Sequence, residues 1–175
     1  SNAMIKVEED GSKAVLFTGE ADIGQGSNTV LAQMAAEAMG ITLDRVNVVS
    51  ADSDITPLGF GAYSSRVTLM GGNAAKMAGE EVKQQVLKAA SSILDAPVED
   101  LDAGDNKIFA KSDTKKNIPW QEAAEAYFSK NGPLVGQLIG QHGAFMHVGM
   151  LGQTALHLQR PDPLPRHLHQ IVGPA

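Results

Sequence analysis

No cysteine occurs anywhere in the 175 residues. That excludes a disulfide framework, thiolate metal ligands and iron–sulfur ligation by this chain, and it fits a reducing compartment. Basic residues are outnumbered, and the net charge of -6 gives no field that would gather nucleic acid or anionic lipid. No apolar stretch reaches the roughly 20 residues needed to span a bilayer. No secretory segment follows the start, so the expectation is a soluble cytoplasmic protein. Histidine is missing before His142 and lysine is missing after Lys130. The body of the chain therefore holds no histidine base for Ser64 or Ser65, and "GAYSS" is not the strand-to-helix elbow of a nucleophilic serine. Aromatics are scarce at 5%. Trp120, Tyr127 and Phe128 share helical spacing and read as core, with no stacking platform around them.

What is present reads as ordinary globular composition, 43% hydrophobic and 19% charged. Ser1-Asn2-Ala3 before Met4 looks like the scar of a removed tag, and residues 1–4 are set aside from fold reasoning. Asp10-Gly11 between Ile5-Lys6-Val7 and Ala14-Val15-Leu16-Phe17 predicts a hairpin. Ser27 or Asn28 then caps a helix that runs to about Met39, with Gly40 past its end. Its predicted apolar stripe is Val30, Leu31, Met34, Ala35 and Ala38. Residues 45–51 predict a strand. A long helix is expected from about Val67 to Leu94, its inward face carrying Ala74, Ala78, Val82, Val86, Ala89, Ala90 and Ile93. Gly71-Gly72 near its start costs about 1 kcal/mol each relative to alanine, which points to close packing or a ligand there. Residues 106–112 predict another strand. Pro119 opens a shorter helix at its first position, with Trp120, Ala123, Ala124, Tyr127 and Phe128 facing inward.

Together these segments predict an α+β fold: a mixed sheet with helices packed on it, ordered hairpin, helix, strand, long helix, strand, helix. The domain covers residues 5–136. Residues 137–175 read as an irregular tail, because all five histidines and four of the prolines crowd into it. A shifted reading frame or a truncation after about Gln137 would produce such a change. It predicts a charged continuation in another frame of the coding DNA.

Two loops carry the candidate chemistry. Each leads into a helix N-terminus, where unpaired N–H groups and about half a positive elementary charge face outward. In the first, Gly24-Gln25-Gly26 lets backbone amides approach a ligand with no Cβ in the way, and Gln25 adds an amide that both donates and accepts. In the second, Ser64, Ser65, Arg66 and Thr68 follow Gly59 and Gly61, the vocabulary of phosphate binding. Either loop alone also reads as a capped helix after a flexible turn. "GQGSNT" lacks the Walker lysine, and "GFGAYS" lacks the third glycine of the dinucleotide fingerprint. Asp52 and Asp54 read as residues satisfying their own turn rather than a cation, and Glu37 as solvent-facing. His167 and His169 have no acidic or cysteine partners nearby to complete a zinc site.

The stretches "TGEADIGQGSNTVLAQMAAEAMGI" and "VNVVSADSDITPLGFGAYSSRVTLMGGNAAKMAGEEV" resemble the molybdenum-binding large subunit of the xanthine dehydrogenase and aldehyde oxidase family. Within it they are most similar to the 4-hydroxybenzoyl-CoA reductase and carbon monoxide dehydrogenase-like members. The resemblance runs from about Ile5 to Gly136 and implies a molybdopterin cytosine dinucleotide cofactor. It places Gly24, Gln25 and Gly26, with Ser64, Ser65, Arg66 and Thr68, against that cofactor. It implies water-derived hydroxylation of a carbon centre, or its reductive reverse, with electrons passing to iron–sulfur and FAD partner subunits. The family's GGFGG-type loop and its G-x-G-E segment, whose glutamate is the catalytic base, have no counterpart here. No catalytic residue is therefore expected, nor a metal ligand. A fragment of such a subunit is expected to be inactive alone and to self-associate as a homo-oligomer through uncovered apolar faces. A generic nucleotide-binding module is the remaining reading.

Overall fold

The computed structural model describes residues 1–138. Strands β1 (Ala3–Val7) and β2 (Ala14–Thr18) pair antiparallel, Ile5 opposite Leu16. Their turn is closed by Gly11 N–H donating to the Glu8 carbonyl at 2.9 Å, with Gly11 at φ 65° where only glycine sits freely. Ala3, set aside as part of a tag scar, and Met4 after it belong to β1, and Ala3 is fully buried.

Helix α1 (Ser27–Met39) crosses from β2 to β3 (Val46–Ser50), and the two strands run parallel with Thr18 opposite Ser50. Parallel neighbours need such a crossover, because a tight turn cannot join them. The buried face of α1 is Leu31, Ala32, Ala35, Ala36 and Met39. It is turned by one position from the predicted stripe. Gly40 ends the helix at φ 78°, as expected.

One π-helical turn (Val67–Gly71) leads into α2 (Gly72–Leu94). Ala74, Ala78, Val82, Val86 and Ala90 are buried as predicted, but Ala89 is only half-buried, and Ile93 is exposed with Leu94 taking its place in the core. Gly71 and Gly72 are explained by packing. A Cβ on Gly71 would sit 2.9 Å from the Glu20 Cγ, and one on Gly72 would overlap the Met34 sulfur.

Strand β4 (Leu101–Gly104), β5 (Lys107–Ala110) and β6 (Asn117–Pro119) form a small antiparallel sheet. Only β5 falls within a predicted strand. Helix α3 (Trp120–Asn131) follows, with Pro119 just outside it rather than at its first position. Trp120, Ala123 and Ala124 are buried, while Tyr127 and Phe128 are half-buried. The Trp120 Nε1–H donates to the Met39 carbonyl at 3.1 Å, tying α3 to the end of α1. Strand β7 (Val135–Leu138), also not predicted, returns to pair antiparallel with β1. The larger sheet is thus mixed, in the order β3-β2-β1-β7, with α1 and α2 packed together and α2 also against β1 and β7. The predicted tail, the histidines and the proposed frame change after Gln137 lie almost wholly outside the described residues.

Candidate functional site

Because β2 and β3 are parallel neighbours in register, the loops that leave them emerge side by side. Such a crevice at the carboxyl ends of parallel strands is where open α/β sheets take ligands. The loops touch through backbone. A Cβ on Gly19 would overlap the Pro57 carbonyl and the Gly59 nitrogen, and one on Gly59 would overlap the Gly19 carbonyl. These two glycines serve contact between the loops.

The first loop is closed on a carboxylate of its own. Asp22 Oδ1 accepts from the amides of Gly24 at 2.9 Å and Gly26 at 3.3 Å, and Oδ2 accepts from Asn28 at 3.1 Å. The Gly24 amide, then the Asn28 amide, hold the Asp22 carboxyl below the ordinary aspartate range. Neither Ser27 nor Asn28 caps α1. Gly26 stands at the cap position at φ 75°, and Asp22 supplies the capping oxygens. The expectation of bare amides awaiting an external anion is corrected here, since three of them already have one. Gln25 folds over the same turn, its Oε1 accepting from Ile23 N–H at 2.6 Å and its Nε2 donating to the Ala21 carbonyl at 3.1 Å. An amide side chain has two donor hydrogens and two acceptor lone pairs, so one of each remains.

The second loop starts with an Asx turn. Asp54 N–H donates to Asp52 Oδ1 at 2.9 Å, as expected of turn residues. Further on, Ser64 and Ser65 lie consecutively in the left-handed region, at φ 50° and 54°. Two such non-glycine residues in a row persist only where surrounding contacts hold them. Ser64, Ser65 and Thr68 are exposed, and among the described residues their hydroxyls have no partner. Arg66, by contrast, is turned inward to the fully buried Glu20, 3.2 Å away. Sequence reading missed both Glu20 and Asp22. The signal for each was a carboxylate placed directly after a strand and before a glycine turn.

The two loops share a cavity of about 460 Å³, walled by Ile23 and Gln25 from the first and by residues 62–68 from the second. It brings together Gln25, Ser64, Ser65, Arg66 and Thr68. Gly24 and Gly26 shape the turn behind Gln25 without lining it. Ser65 and Thr68 also open onto a larger groove of about 1400 Å³ that runs between α1 and α2 toward Lys83, Asp102 and Lys111. Among the described residues no three histidine, cysteine or acidic side chains gather to hold a metal. No described helix is long and apolar enough to cross a membrane.

A mixed sheet with helices packed on it, and a parallel strand pair whose glycine- and hydroxyl-rich loops share a cavity, define an α+β domain. The family model for the molybdopterin cofactor-binding domain matches residues 1–150, and the chain belongs to that family. It is similar to the 6-hydroxypseudooxynicotine dehydrogenase complex subunit gamma of Paenarthrobacter nicotinovorans, 37% identical over 65% of this chain and 14% of the relative. It is also similar to the carbon monoxide dehydrogenase large chain of Hydrogenophaga pseudoflava, 31% identical over 67% of this chain and 15% of the relative. Among solved structures, quinoline 2-oxidoreductase from Pseudomonas putida 86 superposes with a TM-score of 0.72 at 28% identity, over 78% of this chain and 18% of that one. The chain thus spans less than a fifth of the length of these proteins.

The residues at the cavity fit a pterin-type ligand. Three hydroxyls without partners and the remaining donor and acceptor of Gln25 face a space between two loops, and none of them carries a charge that would need neutralising.

Proposed function

We propose that this chain forms one wall of the cofactor site in the large subunit of a molybdenum-dependent hydroxylase or dehydrogenase, an oxidoreductase. The observation that carries the reading is the shared cavity, to which loops about 40 residues apart in sequence contribute Gln25, Ser64, Ser65 and Thr68. When bound, the cofactor, in its cytosine dinucleotide form, supplies the redox chemistry of hydroxylating a carbon centre or reversing that step. This chain's part is to bind and orient. Gln25 offers one N–H and one lone pair to heteroatoms of the ligand, and the Ser64, Ser65 and Thr68 hydroxyls offer the same on the opposite wall. Gly24 and Gly26 let the chain turn tightly behind Gln25, and Arg66 holds the second loop. No described residue takes the role of a proton-transferring base. Relatives named as a large chain and as a complex subunit support a multi-subunit enzyme; that its other subunits carry iron–sulfur clusters and FAD, and that it is cytoplasmic, is part of the proposal.

The test is Gln25→Ala at the matching position of an intact relative made in a cofactor-competent host. The expected result is a lower molybdenum content per protein, with correspondingly less CMP released on hydrolysis. Unchanged molybdenum removes Gln25 from the site.

Exposed apolar side chains beside the cavity, among them Ile23 (72%) and Tyr63 (60%), favour a second reading for the 175-residue chain by itself, self-association. Metal-free oligomers in size-exclusion chromatography with light scattering are its signature. Tight binding of CMP without pterin would instead favour the nucleotide module.

A further inference from the structure

We propose that Glu20 and Arg66 are positioning residues, a clamp that sets the hydroxyl loop of the cavity, and that Arg66 does not bind an anion. Only the final step, from loop shape to ligand, rests on the function proposed above.

Glu20 is fully buried at the end of β2, and the Arg66 side chain is only 14% exposed. Arg66 Nη1 donates to both Glu20 oxygens, at 3.3 and 3.2 Å, and to the Gly61 carbonyl at 3.2 Å. The guanidinium lies 5.1 Å from the Phe60 ring centre and 5.8 Å from that of Tyr63. On its far side the Glu20 stem abuts Gly71, the last residue of the helical turn before α2.

Three consequences follow. The pair is neutral as a unit, so it exerts no pull on a phosphate. A phosphate reaching Arg66 would have to strip it from a carboxylate that has no water to fall back on, and a buried charge left alone is strongly disfavoured. The bond from Arg66 to Gly61 also closes residues 61–66 into a ring. That ring contains Ser64 and Ser65, the two residues in the left-handed region, and supplies the outside constraint such a conformation needs. The clamp thereby determines where two of the cavity's hydroxyls stand.

The experiment uses the full 175-residue chain, with Trp120 emission confirming the fold of each variant. Trypsin cleavage of the Arg66–Val67 bond is timed in wild type and in Glu20→Gln. A clamp predicts that the variant is cut several-fold faster there while other sites keep their rates. Inorganic pyrophosphate is then titrated into wild type and into Glu20→Gln/Arg66→Met and followed through the Ser65 and Thr68 amide signals. A clamp neutralised by Glu20 predicts the same weak affinity in both, whereas an anion-binding arginine predicts a several-fold loss in the double variant. Unchanged cleavage at Arg66 in Glu20→Gln, or a several-fold loss of pyrophosphate affinity in the double variant, overturns the proposal. If Glu20→Gln does not fold, the double variant Glu20→Gln/Arg66→Met removes both charges together. A clamp then predicts faster hydrogen exchange at Ser64 and Ser65, and unchanged exchange overturns it. Failure of the proposed function shows elsewhere, as unchanged molybdenum in the Gln25 variant.

Discussion

Gly136→Ala isolates one contact that holds the large sheet to its helix. Gly136 lies in β7 opposite Ile5 of β1, with its missing side chain aimed at the middle of α2. An added methyl would overlap the Ala78 carbonyl and come within 2.7 Å of Val82 Cγ2. Neither neighbour has room to retreat, since Ala78 and Val82 are fully buried within α2. Strand β7 must move instead. It is tied to α2 on both sides of Gly136, through Gln85 Nε2 donating to the Val135 carbonyl at 2.7 Å and Gln137 N–H donating to Glu81 at 2.8 Å. Overpacking of this kind costs about 1–3 kcal/mol, and weakening two hydrogen bonds adds up to about 1 kcal/mol each. The stiffer unfolded chain of an alanine returns about 0.4–1 kcal/mol. The centre of these ranges is a net loss of about 2 kcal/mol, and with a urea slope of about 2 kcal/mol/M the midpoint falls by about 1 M. Trp120 is the sole tryptophan and is 1% exposed, so its emission follows unfolding directly. Gly79→Ala is the control. Its methyl would meet Ala38 Cβ at 2.9 Å and the Ala35 carbonyl at 3.0 Å, but in a helix interior alanine gains about 1 kcal/mol over glycine. That variant is expected to shift the midpoint by less than half as much. An unmoved midpoint for Gly136→Ala, or a larger loss for Gly79→Ala, would refute the packing argument.

Two further outcomes rest on single hydrogen-bond systems. Trp120→Phe leaves the buried Met39 carbonyl without the indole N–H and is expected to cost about 1–3 kcal/mol, read from thermal unfolding by circular dichroism. Asp22 has a carboxyl held below its ordinary range, so its contribution is complete above the unfolded value of about 3.9 and fades as pH falls through the lower folded value. Amide signals of Gly24, Gly26 and Asn28 should therefore move together in acid. Asp22→Asn should flatten that titration, and signals that keep titrating in the variant would show that another group governs the loop.

The parts of the fold that were legible in the sequence are those with long or sharply punctuated patterns. Asp10-Gly11 announced the hairpin, Gly40 the end of α1, and the alanine and valine spacing the face of α2. The phase of α1 slipped by one residue because its stripe is built largely of alanines. Ala32, Ala36 and Ala38 are the same residue type on different sides of the helix, so their hydrophobicity does not say which side is inside. Strands β4, β6 and β7 are three or four residues long, too short for alternation to register. The β4–β5 turn is made by Asp105 and Asn106, both at positive φ, rather than by the glycine that usually marks such a turn. For the site, the loops and most of their lining residues were legible, because glycine and hydroxyl enrichment is local. The partners were not. Glu20 and Arg66 meet across 46 positions, and nothing in either neighbourhood marks the pairing.

That failure has a physical lesson about loops of this composition. Glycines, hydroxyls and an arginine suit an incoming anion, but they suit a resident carboxylate equally well. The count of charges decides between the two. The loops on residues 19–26 and 51–66 hold four carboxylates, Glu20, Asp22, Asp52 and Asp54, against the single cation Arg66. Asp22 is consumed by the amides of Gly24, Gly26 and Asn28, Asp52 by its own turn, and Glu20 consumes the arginine. No surplus of positive charge is left to recognise a phosphate. What remains facing the cavity is neutral: the Gln25 amide and the hydroxyls of Ser64, Ser65 and Thr68. Neutral donors and acceptors on two facing walls suit the edge of a heterocycle better than a dianion. On the function proposed above, the cavity would therefore take the pterin end of the cofactor rather than its phosphates.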